Sequence, residues 1–156
     1  MSKLIPLTQG KFAIVDNEDY ERINQYKWCA AKFRNTFYAM RCIHKNGKYT
    51  TITMHREILF EIPVGFQIDH INHNGLDNRR SNLRICVTAQ NHYNRIKMPN
   101  KSSQYKGVSW SKNSKKWEAY IQKTHLGYYE NEIDAALTYN EKAKERFGDF
   151  AHLNIV

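Results

Sequence analysis

Apolar and polar residues alternate in short runs, and the period changes twice along the chain. Phe12-Ala13-Ile14-Val15 reads as a strand, and Asp16-Asn17-Glu18-Asp19 caps a short helix around Tyr20 to Lys27. Phe37 to Ile43 and Tyr49 to Met54 predict two strands joined by an Asn46-Gly47 hairpin turn, because a tight primed turn needs positive φ. His55 to Phe60 predicts a short helix ended before Pro63. Phe66-Gln67-Ile68 forms a strand that delivers Asp69-His70 to its end. A long polar loop follows over Ile71 to Ser81, then a strand over Leu83 to Val87 and a helix capped by Thr88 that bears Asn91 and Asn94.

Past Pro99 to Ser103, a short polar connector, three strand-like runs appear at Gly107 to Ser111, Trp117 to Gln122 and Thr124 to Tyr129. Trp117, Ala119 and Ile121 fall on one face of the middle run, with Glu118, Tyr120 and Gln122 on the other. Asn131 to Phe147 is an amphipathic helix with Asn131 as N-cap, an apolar face of Ile133, Ala136, Leu137, Ala143 and Phe147, and Gly148 as its stop. That face is expected to cover the Trp117 side of the sheet. The organisation expected is a first α+β region over 1–62, a second block over 63–98, a linker over 99–103 and a small sheet-plus-helix domain over 104–156.

Composition narrows the class. The chain has 156 residues, 41% hydrophobic and 13% aromatic, enough for a packed core and inconsistent with disorder. No apolar run of membrane-spanning length and no secretion signal is visible, so no membrane is expected as a partner. Cys29, Cys42 and Cys86 lack any CxxC spacing, which signals neither a disulfide framework nor a cysteine-held zinc and fits a reducing cytoplasm. The formal net charge of +9 suits a polyanion. It is also segregated. Lys101 to Lys123 holds six lysines and one acid, whereas Thr124 to Val156 holds three bases and six acids, as expected of a domain with one face toward an anion.

The second block carries the chemistry. Hydrolysis of a phosphodiester needs a base for the attacking water and a cation for the charge on the phosphate and leaving oxygen. His70 can be that base near pH 7, and Asp69 with Asn91 offers hard oxygen ligands for Mg²⁺ or Mn²⁺. Neighbours on a strand point oppositely, so Asp69 and His70 serve together only where the strand ends or twists. Taken singly, an Asp-His pair is commonplace and Asn-rich stretches ordinarily build turns.

The string Asp69-His70-Ile71-Asn72-His73-Asn74-Gly75-Leu76-Asp77-Asn78-Arg79-Arg80-Ser81-Asn82-Leu83-Arg84, followed by Thr88-Ala89-Gln90-Asn91, closely resembles the HNH endonuclease family. The resemblance spans roughly Met54 to Arg95, including His55-Arg56, and implies a ββα-metal fold. It implies His70 as general base, Asp69 and Asn91 as ligands of Mg²⁺ or Mn²⁺, and Asn82 as the residue that organises the loop and helps orient the base. His73 stands where relatives often carry Gly. Arg79, Arg80, Arg84 and Arg95 are expected to include phosphate contacts.

The third block resembles the AP2 DNA-binding domain through Tyr105-Lys106-Gly107-Val108-Ser109-Trp110, Lys116-Trp117-Glu118-Ala119-Tyr120-Ile121, Leu126-Gly127-Tyr128-Tyr129 and Ala151-His152-Leu153-Asn154. That family lays a three-stranded sheet in the DNA major groove with a helix behind it. The resemblance implies Lys106, Ser109, Ser111, Tyr120, Gln122, Thr124 and His125 as DNA-facing, with Lys112, Lys115 and Lys116 on backbone phosphates. Ser, Tyr and Gln stand at several usual Arg positions, so bidentate guanine recognition by Arg is missing.

The expected fold class is therefore α+β: N-terminal small strands plus a ββα-metal nuclease unit, then an AP2-type three-stranded antiparallel sheet packed on one helix. The expected function is a homing-type, metal-dependent endonuclease on double-stranded DNA in a bacterial or phage-infected cell, with no organic small-molecule cofactor. One site nicks one strand, and a double-strand break requires a homodimer or two successive events. The rival expectation is a catalytically silent AP2-type regulator. RNA binding is third, resting on Tyr105, Tyr120, Tyr128 and Tyr129 as stacking surfaces.

Overall fold

The computed structural model describes residues 1–33, 36–45, 47–96 and 102–156. The chain divides into two compact units, Met1–Thr88 and Ala89–Val156. The fold is α+β in both, with small antiparallel sheets and few helices. Asn46 of the expected hairpin turn and residues 99–101 of the expected linker lie outside the described residues.

In the first unit, β1 (Ser2–Pro6) pairs antiparallel with β2 (Phe12–Asp16). Ala13 and Val15 alternate inward along β2, as period two requires. Helix α1 (Asn17–Asn24) follows directly. Its N-cap residue Asp16 makes no side-chain capping bond; the carboxylate instead accepts the backbone N–H of Arg80 at 2.7 Å. Strands β3 (Cys29–Phe33), β4 (Thr36–Lys45) and β5 (Lys48–Thr53) form an antiparallel sheet, and α2 (Met54–Ile58) begins where β5 ends. β1 and β3 are unheralded in the sequence. The first buries only Ile5, and the second reads Cys-Ala-Ala-Lys-Phe, small residues with no strand signature. Ile5, Val15, Ile23, Trp28, Met54, Ile58 and Leu83 meet in one core, with the Trp28 indole N–H donating to the Ile23 carbonyl at 2.9 Å.

A two-stranded sheet completes this unit: β6 (Gln67–His70) pairs antiparallel with β7 (Leu83–Cys86), placing Asp69 opposite Arg84 and His70 opposite Leu83. Helix α3 (Thr88–Tyr93) comes next, and the division between units falls inside it, after Thr88. The order strand, loop, strand, helix agrees with the pattern of the second block.

The second unit holds β8 (Val108–Ser111), β9 (Lys116–Ile121) and β10 (Thr124–Tyr129), an antiparallel sheet with β9 central, and α4 (Glu132–Phe147). The Asn131 side chain caps α4 by accepting the Asp134 N–H at 2.9 Å. The buried helix face is rotated from the expected one: Ala136 and Ala143 are buried and Phe147 packs on the core as expected, Ala135 and Tyr139 join them, and Ile133 and Leu137 are half exposed. The alanines let the helix lie close to Val108, Ala119 and Ile121. β9 stops at Ile121, so Gln122 is a turn residue with φ 54° rather than part of the strand face.

Gly107 marks the tightest point of that packing. Its φ is +75°, and a Cβ there meets the Tyr139 ring and lies 2.5 Å from the Tyr120 carbonyl oxygen. Gly107→Ala combines left-handed strain with overpacking and is expected to cost roughly 2–4 kcal/mol, measured as a lowered urea midpoint. An unchanged midpoint contradicts the close helix–sheet contact.

Candidate active site

The loop between β6 and β7 is built from its own amides. The Asn82 carboxamide oxygen accepts the Asn72 N–H at 3.0 Å, and its NH₂ donates to the Asp77 carbonyl at 2.8 Å. The Asn82 carbonyl also accepts the Ile71 N–H at 3.0 Å. One buried side chain thus ties the start, middle and end of the loop. Asn72 and Asn74 accept backbone N–H groups two residues on, at 2.9 and 3.1 Å, which accounts for much of the asparagine density as turn chemistry. His73 takes φ 63°, a left-handed conformation that a glycine adopts without strain.

The first block anchors this loop. Ile14 of β2 accepts from Asn78 N–H and donates to the Leu76 carbonyl, both at 2.8 Å, so the loop borrows a strand edge. Gly75 packs where a Cβ lies 2.5 Å from the Phe37 carbonyl and 2.7 Å from the Tyr38 ring, and its N–H donates to Thr36 Oγ1 at 3.0 Å.

Asp69 and His70 end β6, and both are buried. Asp69 reaches across the sheet to Arg84, whose Nε and Nη2 donate to Oδ2 at 2.9 and 2.7 Å. His70 turns to the loop, its Nε2 lying 3.3 Å from Asn78 Oδ1. The Asn78 NH₂ is committed to the Leu76 carbonyl at 3.3 Å, so its oxygen faces the ring and Nε2 is the donor. In a neutral ring the lone pair then sits on Nδ1. Burial pulls the His70 pKa below the ordinary imidazole value, against the Asn78 bond and the charges of Asp69 and Asp77. The arrangement offers a neutral imidazole of fixed tautomer beside a carboxylate.

Two further rings enclose His70. Tyr38 and His55 meet it edge-on at centroid distances of 5.6 and 5.1 Å. Burial, then the neighbouring His70 and Arg56, lowers the His55 pKa to about 3. Burial and the Asp69 charge raise that of Tyr38. An open pocket of about 310 Å³ lies alongside, lined among others by Phe33, Tyr38, Thr53, His55, Arg56 and Gln67. Sequence reasoning missed Asn78, Tyr38 and Thr53. The one available signal was His55-Arg56 ahead of the motif, with no role attached.

The loop arginines are engaged within the protein. Arg79 clasps Asp77 through Nε and Nη2 at 2.7 and 2.6 Å. Arg80 clasps buried Asp19 at 2.8 Å through each of two nitrogens, with Arg22 on the same carboxylate at 2.6 Å. Burial alone raises the Asp19 pKa, but the two guanidiniums hold it below the usual value. Arg79 and Arg80, expected among the phosphate contacts, thus also build the fold through these ion pairs. Arg95 is exposed in the second unit.

Asn91 lies on α3 past the division and is described with the second unit. There Lys106, expected to face DNA, donates from Nζ to the carbonyls of Tyr93 and Arg95 at 2.6 and 2.7 Å, and burial lowers its pKa to about 8. Ser109 donates to Glu118 at 3.2 Å, and Lys116 pairs with Glu130 at 2.7 Å. Ser111 accepts the Ser114 N–H at 3.4 Å. Lys112, Lys115, Tyr120, Gln122 and Thr124 are exposed, and Tyr120, His125 and Tyr128 adjoin at 4.8 and 4.6 Å.

Among the described residues no three His, Cys, Asp or Glu side chains gather to hold a metal ion. Of the two expected ligands, Asp69 accepts two Arg84 N–H groups through Oδ2, and Asn91 lies in the second unit; one carboxylate and one amide are oxygen donors of the kind a hydrated hard cation takes.

A buried carboxylate and a buried histidine thus stand at the end of β6 against an amide-braced loop. A family model described as HNH endonuclease matches residues 61–93. An uncharacterized HNH endonuclease of Acanthamoeba polyphaga mimivirus is 33% identical over 156 residues, covering 94% of this chain and 76% of that protein. Protein 3.8 of Escherichia phage T7 is 37% identical over 60 residues, 38% of this chain and 50% of that protein. No solved structure matches. The chain belongs to the HNH endonuclease family and is a nuclease acting on DNA. No helix among the described residues is long and apolar enough to cross a membrane.

His55 makes the fold acid-sensitive. Its folded pKa of about 3 lies below the ordinary 6.5, so the unfolded chain binds the extra proton between those values. The stabilisation is present above pH 6.5 and lost as pH falls toward 3, by at most about 1.4 kcal/mol per pH unit. His55→Gln is expected to flatten the dependence of the urea midpoint between pH 6.5 and 4. An unaltered slope refutes this.

Proposed function

We propose that this chain is a homing-type endonuclease that hydrolyses one strand of double-stranded DNA per site, reading the duplex through its second unit. The observation that carries the hydrolytic half is the His70–Asn78 bond, which commits Nε2 as donor and so fixes the tautomer of a neutral ring beside Asp69. In this reading His70 Nδ1 takes a proton from the attacking water as its oxygen bonds to phosphorus. The P–O bond to the 3′ oxygen breaks, and that oxygen leaves and is protonated. Asn82 holds the loop, and so the base, in place. Asp69 and Asn91 would hold Mg²⁺ or Mn²⁺, which supplies charge neutralisation at the phosphate. Arg84 of β7, which pairs with Asp69, would be the phosphate contact nearest that carboxylate.

The duplex-reading half rests on the AP2 resemblance and on the sheet face opposite α4. Ser109, Ser111 and Tyr120, with Gln122 in the adjoining turn and Lys112, Lys115 and Lys116 beside them, would contact DNA there. Thr124, whose hydroxyl accepts from Arg146 of α4 at 3.5 Å, would contact it from the sheet edge, and Arg95 would add a phosphate contact. Affinity would then fall linearly in log–log form with salt. A catalytically silent regulator is the alternative, and the intact His70–Asn78 geometry disfavours it. A cytoplasmic, DNA-associated setting and a nick by the monomer follow from the same reading; a homodimer would cut both strands.

Supercoiled plasmid and the DNA of the host or phage, incubated with Mg²⁺ or Mn²⁺, test this. Wild type is expected to produce open circles, and His70→Ala to lose activity by about 10²–10⁴-fold while its duplex affinity changes less than twofold. Equal nicking by both proteins removes His70 as base. Binding without cleavage by wild type on every DNA supports the silent regulator.

A further inference from the structure

The net positive charge of this chain lies ahead of the residues that match the HNH family. Between Arg22 and Arg56 stand eight of the 24 lysines and arginines and none of the 15 acids. The rest of the chain holds sixteen bases against fifteen acids, so this one stretch accounts for +8 of the formal +9. It carries β3, β4 and β5. Charge so concentrated belongs to one surface and creates a field there, which an even spread does not.

Part of that surface is a projecting ribbon. β3 pairs with β4 only over Thr36 to Met40. Beyond Met40, among the described residues, β4 has β5 as its one strand partner, from Arg41 opposite Ile52 to Lys45 opposite Lys48. Those five pairs make an arm about 16 Å long at the ordinary strand rise. A two-stranded hairpin is marginal in water, and the root of this one is braced. The Arg41 guanidinium lies 3.8 Å from the centre of the Tyr26 ring and donates to Glu57 Oε2 at 3.0 Å.

The outer half has no such support. Cross-strand partners share a face and successive pairs alternate. His44 and Tyr49 therefore share one face, with rings 4.8 Å apart, and Lys45 and Lys48 share the other. All four are exposed, Tyr49 at 80%. A ring that open covers no core, and two lysines directly opposite one another weaken the strand pair. Both features cost the fold, and both are explained by a partner that supplies negative charge and a surface for the ring. The shape narrows the partner further, because a two-stranded ribbon fits the roughly 12 Å major groove of B-form DNA.

We propose that the far half of the β4–β5 hairpin is a DNA-binding arm that enters the major groove of the duplex this nuclease cuts. The His44–Tyr49 face turns to the groove floor, and Lys45 and Lys48 reach from the outer face to the flanking phosphates. The near half of the same hairpin walls the nuclease loop through Phe37 and Tyr38, so arm and loop belong to one unit. This rests on the reading of double-stranded DNA as substrate and asks nothing of His70.

The test uses the full-length protein and a duplex oligonucleotide of mixed sequence, with EDTA present to prevent cutting. Lys45→Gln/Lys48→Gln and Tyr49→Ala are compared with wild type and with Lys3→Gln/Lys142→Gln, which removes the same charge from two ion pairs outside the arm. Wild type is expected to lose about tenfold more affinity than Lys45→Gln/Lys48→Gln between roughly 50 and 200 mM salt, since each phosphate contact contributes about 0.9 to the log–log slope. Either lysine replaced singly should give half that change in slope. Tyr49→Ala should weaken binding with the slope unchanged. Melting temperatures should match that of wild type, because the replaced side chains are exposed. On supercoiled plasmid with Mg²⁺, the double lysine variant should raise half-saturation while the rate at saturating DNA stays within about twofold.

The arm is overturned if the double lysine variant keeps the wild-type slope, or if Lys3→Gln/Lys142→Gln lowers the slope as much. It is overturned as well if the double lysine variant binds duplex normally but self-associates, since the lysines then only guard a strand edge. A loss confined to single-stranded RNA, with duplex binding intact, overturns it too. Absence of nicking by every protein defeats the hydrolytic reading instead, and the salt slopes still decide the arm.

Discussion

The carboxamide of Asn82 closes the β6–β7 loop, and nearly every feature of the site descends from that closure. It holds Asn72 through its oxygen and Asp77 through its nitrogen, so both halves of a polar loop are bound to a single buried side chain. Fixing a loop residue costs about 1–2 kcal/mol of backbone entropy, and a loop this polar has few apolar contacts to offset it. Hydrogen bonds therefore substitute for packing. Removing either half of the Asn82 amide leaves a buried backbone group unpaired, which costs more than the bond itself contributes. With the loop closed, Asn78 lies against His70, and Asp77 and Arg79 form a paired end rather than two loose charges.

The first block supplies what the loop lacks. β2 lends its edge to Leu76 and Asn78, and β4 lends Phe37 and Tyr38 as the wall against Gly75. Acidic residues at the start of α1 take up Arg80. A short β-hairpin is marginal on its own in water; here it is a sheet of two strands welded to a core that Leu83 joins. This explains why a region with no recognisable chemistry precedes the motif: for the loop, its work is mechanical.

Legibility followed the kind of interaction. Strands β6 and β7 and helix α4 were readable because periodicity and caps are local, and the HNH string was readable because its spacing is specific. Asn78 was hidden among other asparagines, since only the fold distinguishes the one that faces a histidine from those that build turns. Tyr38 lies on a distant strand, and nothing nearby in sequence marks it. Composition counts guanidiniums without their partners: Asp77 stands two residues before Arg79, and Asp19 is far away in sequence, yet each is within 2.8 Å of its arginine in space. The Lys106 ammonium likewise has partners that composition does not show, the carbonyls of Tyr93 and Arg95. Ile133 and Leu137 show that helical spacing alone does not choose between two stripes; the close approach at Gly107 does.

Helix α3 is where the two units share a single element. The family match runs to residue 93, so it includes the helix whole, yet packing assigns residues after Thr88 to the second unit. Two contacts account for that assignment. The Tyr93 ring stacks on Phe147 of α4 at 3.9 Å and 14°, and Lys106 donates to the carbonyls of Tyr93 and Arg95. A six-residue helix is too short to be stable by its own hydrogen bonds, so the end of α3 exists because the second unit completes it. Asn91 lies on that stretch. Composition marks residues 99–103 as a connector, whereas side-chain packing binds the helix before it to the sheet and helix that follow.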